Sequence, residues 1–145
     1  SLFADMERAA SQKRIHLRLQ HSHPLPLVML PFDPDRLSQV LQNLISNAIK
    51  YTPEDGDITL SCSVQQRLLT VTVTDNGIGI LEKHYETIFR IFKRLHGRDE
   101  YSGGTGSGLT IARKIIERHG GHIWVRSIYG QGTTFYFNLE SKIEL

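Results

Sequence analysis

At 145 residues the chain has the length of one domain, and a chain of that size buries a real core without disulfides or metals. Hydrophobic residues make up 39% and charged residues 22%, an ordinary globular mix, and 17 basic against 15 acidic residues leave a formal charge of +2, too small to announce nucleic acid or a membrane surface. Cys62 is the only cysteine, which excludes an internal disulfide and fits a reducing cytosol, and no apolar run reaches transmembrane length.

No signal peptide is apparent, and Ser1 opens inside a helix-like pattern, as expected of a piece of a longer protein. Residues 2–12 (LFADMERAASQ) read as a helix, and 15–19 (IHLRL) alternate as a strand. A proline-bearing loop (HSHPLP) leads to a short apolar run, 27–32 (LVMLPF), expected to be a strand. Residues 34–51 form the clearest helix: Asp33 is a good N-cap, Pro34 suits the first helical position, and Leu37, Val40, Leu41, Leu44, Ile45 and Ala48 make one apolar stripe. After the turn TPEDGD come two strands, ITLSCSV and LLTVTVTD, joined by a polar hairpin. The bend NGIGI precedes a predicted helix over 81–92 (LEKHYETIFRIF). A polar, glycine-rich loop runs from 93 to 108, and loops of that length in a compact domain usually carry function. The helix LTIARKIIERH is stopped by Gly120 and Gly121, and the strands HIWVRS and TTFYFNL close the chain around the turn IYGQG. Helices mixed with antiparallel hairpins predict an α+β fold, a two-layer sandwich with helices on one face of a mixed, mainly antiparallel sheet.

Three polar clusters stand out. Asn43, Asn47 and Lys50 share one flank of the helix 34–51, with Tyr51 close by. A solvated flank is the plain reading. The functional one is a ligand strip, because amide oxygens suit Mg²⁺, a lysine suits phosphate and an aromatic edge suits a flat base. The second cluster, DNGIGI, is a turn signal, yet it places Asp75 at a strand end before two glycines that admit close backbone approach. A carboxylate there can accept from an exocyclic amine. The third, SGGTGSGLT, runs glycine-rich backbone into a helix start, which suits phosphate oxygens. It is not a P-loop, because Leu109 stands where Lys is needed, and it is not a dinucleotide fingerprint, because no strand precedes it. The plain reading is a linker with Ser107 as the helix cap.

Taken in order, these stretches resemble the catalytic, ATP-binding domain of bacterial sensor histidine kinases, within the wider ATPase fold of gyrase B, Hsp90 and MutL. NLISNAIKYTP resembles that family's asparagine box, DNGIGI its first glycine box, IFRIFKRL its phenylalanine box, GGTGSGLTIARKIIERHGG its second glycine box and GQGTTFYFNL its closing strand. The wording FKRLHGRDEYSGGTGSGL further resembles phytochrome-like cyanobacterial kinases.

The resemblance implies the cofactors ATP and Mg²⁺ and a set of roles. Asn47 would give its amide oxygen to Mg²⁺, with Asn43 as a further ligand or just behind it. Lys50 would face the phosphates, Arg94 would approach the γ-phosphate, and Tyr51 would pack by the nucleotide. Asp75 would read the adenine amine, in a pocket shaped by Gly77, Gly79 and Ile80, with Thr133 helping through a water. Residues 94–106 would form a glycine-rich lid over ATP. Gly104, Thr105, Gly106, Ser107, Gly108 and Leu109 would bring backbone to the phosphates, although Ser107 replaces the family's usual apolar residue. The implied reaction is transfer of the γ-phosphoryl group to a histidine of the kinase's own dimerisation domain, with a response regulator downstream, no nucleic-acid partner, a monomeric isolated domain and a cytoplasmic location.

None of the chain's seven histidines lies in a phosphoacceptor segment. Residues 1–13 would then be the linker helix from a missing dimerisation and phosphoacceptor domain, and 14–145 the catalytic domain. The HSHP pair lacks partners for a metal site. A gyrase- or Hsp90-type hydrolase would carry a base, Glu, where this chain has Asn43. An anti-sigma-type serine kinase and a nucleotide-sensing binding module of the same fold are the other rivals. The phenylalanine box and the long lid favour the histidine kinase over these rivals, while plain core packing is the alternative reading of Phe89 and Phe92 and is expected of one of them.

Overall fold

A computed structural model describes residues 2–21, 33–89 and 108–140. Helix α1 spans Leu2–Gln12, strand β1 His16–His21 and helix α2 Pro34–Tyr51. Strands β2 and β3 are Asp57–Gln65 and Leu68–Asp75. Helix α3 is Gly108–Arg118, and β4 and β5 are His122–Ile128 and Gly132–Glu140. The strand expected over 27–32 lies outside the described residues. So do Phe92 and the whole run 90–107.

The helix ends follow their caps. The Asp33 side chain accepts from the Asp35 N–H at 2.9 Å, and Pro34 occupies the first turn, where its missing N–H costs nothing. At the far end Thr52 turns extended while its N–H still reaches the Ala48 carbonyl at 3.0 Å. Helix α3 stops where Gly120 takes φ +80°, with the Gly121 N–H returning to the Ile116 carbonyl at 3.0 Å.

Among the described residues five strands form one sheet in the order β1-β2-β3-β5-β4. β1 runs parallel to β2, and every other pairing is antiparallel. Gln66 and Arg67 both take positive φ between β2 and β3, the signature of a two-residue type I′ hairpin matched to strand twist. Alternation then sorts the faces. Ile58, Leu60, Val71, Val73, Val125, Phe135, Phe137 and Leu139 point to the helices and are buried. Burying a side chain such as Phe135 or Phe137 contributes about 1.5–3 kcal/mol. The opposite face carries a threonine pair, Thr74 and Thr134 at 3.1 Å, and the stacked rings of Trp124 and Tyr136, 5.2 Å apart and 3° from parallel.

Helices α1, α2 and α3 cover the inner face with Met6, Ala10, Val40, Leu44, Ile45, Ala48, Leu109, Ala112, Ile115 and Ile116. The α+β two-layer expectation therefore holds, with the parallel β1–β2 pair making the sheet mixed.

One element differs. The helix predicted from residue 81 is, within the described residues, two single 3₁₀ turns, Glu82–His84 and Thr87–Phe89. The segment is held by contacts that a regular helix would not give it. The Tyr85 hydroxyl donates to the Ser127 carbonyl at 2.8 Å and accepts the Ser127 N–H at 2.7 Å, both on edge strand β4. Ile88 and Phe89 enter the core, where Phe89 meets Phe135 edge to face with centroids 6.1 Å apart. Core packing is thus the observed role of Phe89.

Candidate functional site

The α2 flank is present as expected. Asn43, Asn47, Lys50 and Tyr51 are all half-buried beside the apolar stripe. Burial lowers the Lys50 pKa, and its Nζ lies 5.4 Å from the centroid of the Tyr51 ring. The Asn43 amide donates to the Gly108 carbonyl at 3.1 Å, so it ties α2 to the first residue of α3. A side chain at Gly108 would have room, its Cβ 3.6 Å from the nearest Asn43 atom. Leu109 packs its side chain into the core, 5% exposed, which leaves its backbone N–H in the helix's first turn as the group a ligand can meet.

The C-terminal end of α2 is fixed from two directions. Lys13, just beyond α1, donates its Nζ to the Ile49 and Lys50 carbonyls at 2.8 and 3.1 Å, a cation on carbonyls that the helix leaves unpaired. The Tyr51 carbonyl accepts the Ile78 N–H at 3.3 Å. Gly77 lies so close that a Cβ there would sit 2.3 Å from the Tyr51 oxygen, so only glycine permits this approach. Gly79 takes φ +79°, and a Cβ on it would meet the Ile128 carbonyl at 2.4 Å.

Asp75 ends β3 and faces the helical layer, 8% exposed. Its carboxylate accepts the Gly77 N–H at 2.8 Å. Burial raises its pKa above the ordinary carboxylate value, against the opposing pull of backbone N–H groups from Gly77 and Thr133. Thr133, directly across the ladder in β5, is also buried. The Ile80 N–H donates to Ser127 Oγ at 2.7 Å, and Ser127 Oγ lies 2.8 Å from Thr133 Oγ1. A cavity of about 680 Å³ at this end of the sheet is lined by Asp75, Thr133, Ser127 and Tyr85 among others. The α2 flank does not line it, so the cavity marks the Asp75 end alone.

Two halves of the expected site therefore meet: the α2 flank and the Asp75–Ile80 turn join through Tyr51, Gly77 and Ile78, with Thr133 beside Asp75. Arg94, Gly104, Thr105, Gly106 and Ser107 lie outside the described residues, as does most of the HSHP pair. Among the described residues no three His, Cys, Asp or Glu side chains gather as a metal site, and no helix is long and apolar enough to cross a membrane.

Sequence reading missed Lys13, Tyr85 and Ser127. The signal for Ser127 is parity: it shares the inward face of β4 with buried Val125, so a polar group stands at a core position.

Comparison with known proteins gives a consistent result. The profile described as "Histidine kinase-, DNA gyrase B-, and HSP90-like ATPase" matches residues 32–143. Cyanobacterial phytochrome B of Nostoc sp. is 54% identical over 118 residues, covering 80% of this chain and 15% of the relative. Sensor histidine kinase WalK of Bacillus subtilis is 42% identical over 142 residues, covering 96% of this chain and 23% of the relative. The chain thus spans less than a quarter of either relative. Among solved structures, the nucleotide-free catalytic domain of histidine kinase ThkA superposes with a TM-score of 0.82 at 31% identity, covering 97% of this chain and 88% of that one. Full-length ShkA, solved with AMPPNP, superposes with a TM-score of 0.82 at 28% identity, covering 99% of this chain and 29% of that one.

Proposed function

The chain belongs to the histidine kinase-, DNA gyrase B- and HSP90-like ATPase family, and from that premise we propose that it binds Mg²⁺-ATP and passes the γ-phosphoryl group to a histidine on a separate dimerisation domain. The observation that carries this reading is the junction of the Asn43–Asn47–Lys50–Tyr51 flank with the buried carboxylate of Asp75 through Gly77. A polyphosphate along α2 and an amino-bearing base at Asp75 would span that junction. The likeness to sensor histidine kinase WalK and to the ThkA histidine kinase domain does not favour the serine-kinase or binding-only alternatives.

The donor chemistry fits the implied ion. An amide oxygen at Asn47, with Asn43 one turn away and no carboxylate cluster among the described residues, suits a cation that completes its shell with phosphate oxygens and water. Mg²⁺, when bound, neutralises phosphate charge and holds the oxygens in place. The chain's own residues do the rest. Lys50 adds a positive charge toward the phosphates, and Arg94 does so at the γ-phosphate. Gly104, Gly106 and Gly108 let backbone N–H groups approach, and Tyr51 flanks the nucleotide. Such a transfer needs positioning and charge neutralisation more than covalent help. Asn43 cannot take a proton from water, and its amide is engaged with Gly108. Water is therefore not activated at the position where a hydrolase holds its base, and the acceptor imidazole is itself a nucleophile.

On the same reading residues 1–13 are the linker from the dimerisation and phosphoacceptor domain, seated on the catalytic body by Met6 and Ala10. A response regulator receives the phosphoryl group, the isolated domain is monomeric, and the site works in the cytoplasm. The test mixes the chain with Mg²⁺-ATP and a dimerisation domain bearing the acceptor histidine. Phosphohistidine should form, while the chain alone hydrolyses ATP slowly. Rapid hydrolysis by the chain alone would overturn the reading. Asn43→Glu should raise hydrolysis above that low level, although it also removes the donor to Gly108.

A further inference from the structure

Ser127 is the point where the base end of the site is wired together. Its Oγ lies 2.7 Å from the Ile80 nitrogen, 2.7 Å from the Gly132 carbonyl oxygen and 2.8 Å from Thr133 Oγ1. A serine hydroxyl has one hydrogen and two lone pairs. The Ile80 N–H can only donate and the Gly132 oxygen can only accept, so the serine's hydrogen goes to Gly132. The remaining lone pair is then available for the Thr133 hydroxyl, which must be the donor in that pair. The Tyr85 hydroxyl closes both the N–H and the carbonyl of Ser127, which fixes the residue on the open edge of β4.

This polarity reaches the ligand side. With its hydrogen committed to Ser127, Thr133 Oγ1 has only lone pairs left. Beside it the Asp75 carboxylate, when ionised, is an acceptor only, and it already takes the N–H of Gly77. The Asp75–Thr133 pair therefore presents acceptors and no donor. We propose that Ser127 is a positioning residue that makes this wall acceptor-only, and that it thereby selects a purine carrying an amino group over one carrying a carbonyl at the same place. The inference rests on the reading of Asp75 as the base-recognition residue. An acceptor-only wall pairs with the amine of adenine and faces a carbonyl oxygen with unpaired lone pairs, which is the costly arrangement. Freed from Ser127, Thr133 can turn its hydrogen outward and satisfy a carbonyl.

The experiment titrates the chain by calorimetry with ATP and with inosine triphosphate, which has a carbonyl in place of the amine. Ser127→Ala should reduce the ATP-over-inosine preference by about tenfold, the scale of one buried hydrogen bond. Ser127→Thr, which keeps the hydroxyl, should retain it. A merely structural role would lower the melting temperature and weaken both nucleotides in proportion, and an unchanged preference in Ser127→Ala would overturn the proposal. If Ser127→Ala is unfolded at the assay temperature, Ser127→Cys is read in its place, since it keeps the shape with only weak hydrogen bonding. Asp75→Asn separates the two levels of inference. If it loses ATP while Ser127→Ala keeps its preference, only the Ser127 proposal fails. If it leaves ATP affinity unchanged, the base assignment fails as well.

Discussion

Replacing Asp75 by Asn exchanges one oxygen for an amino group at constant shape, and the structure predicts opposite effects on binding and stability. The amide oxygen can keep the Gly77 N–H that the carboxylate now accepts at 2.8 Å. That turns two N–H donors toward the place where the base would bring its own amine. A hydrogen bond to a charged group is worth about 1.5–3 kcal/mol, so ATP affinity should fall about 10- to 150-fold. Stability should not fall with it. Burial is the dominant influence on this carboxyl and raises its pKa from the ordinary 3.8. Below that ordinary value the group is protonated in both the folded and unfolded chain and costs nothing. As pH rises through the window between the unfolded and the raised folded pKa, the unfolded chain releases its proton first, so stability is lost, and the deficit persists at neutral pH. An amide has no such titration. The variant should melt at or above the wild-type temperature at neutral pH, with this acid-range loss absent. Calorimetric titration with ATP, together with thermal melts from about pH 4 to 7, tests both halves. Unchanged ATP affinity would refute the base assignment. A variant that melts well below wild type would refute the argument that the buried charge is a burden.

Two further outcomes follow from the same site. Asn47→Ala should reduce ATP affinity in Mg²⁺ to the level measured in a chelator while leaving the metal-free affinity unchanged; equal losses under both conditions would remove Asn47 from the metal. Gly79→Ala forces a Cβ to 2.4 Å from the Ile128 carbonyl at φ +79°, so it should destabilise by more than about 1 kcal/mol and lower the melting temperature by at least about 3 °C in a thermal scan.

Most of the fold was legible because its signals are local. Asp33-Pro34 and an unbroken apolar stripe define α2, and strict alternation defines β2, β3 and β5. The asparagine flank and Asp75 were legible as residue types out of place, an amide pair on a helix and a carboxylate at a strand end before two glycines. What escaped was set by partners distant in sequence. The segment after Ile80 has helical periodicity, but Tyr85 is drawn to an edge strand 42 residues away, and the helix gives way to 3₁₀ turns. Asn43 was legible as a ligand candidate and not as a brace, because Gly108 is 65 residues further on. The parallel pairing of β1 with β2 likewise depends on a crossover that no local pattern encodes.

Between Asn47 and Tyr51 the chain makes one helical turn, and its C-terminal residues are held from two sides: Lys13 grips the Ile49 and Lys50 carbonyls, and the Tyr51 carbonyl meets Ile78 across Gly77. This segment is therefore locked in number more strictly than in kind. One residue added or removed there would swing Asn47 by about 100° about the helix axis relative to the Tyr51 junction. The proposed metal end and the proposed base end would then face different directions, even with every named side chain still present. The Gln66–Arg67 hairpin at the other end of β3 has no such duty, and a change of length there would leave both ends of the site in register.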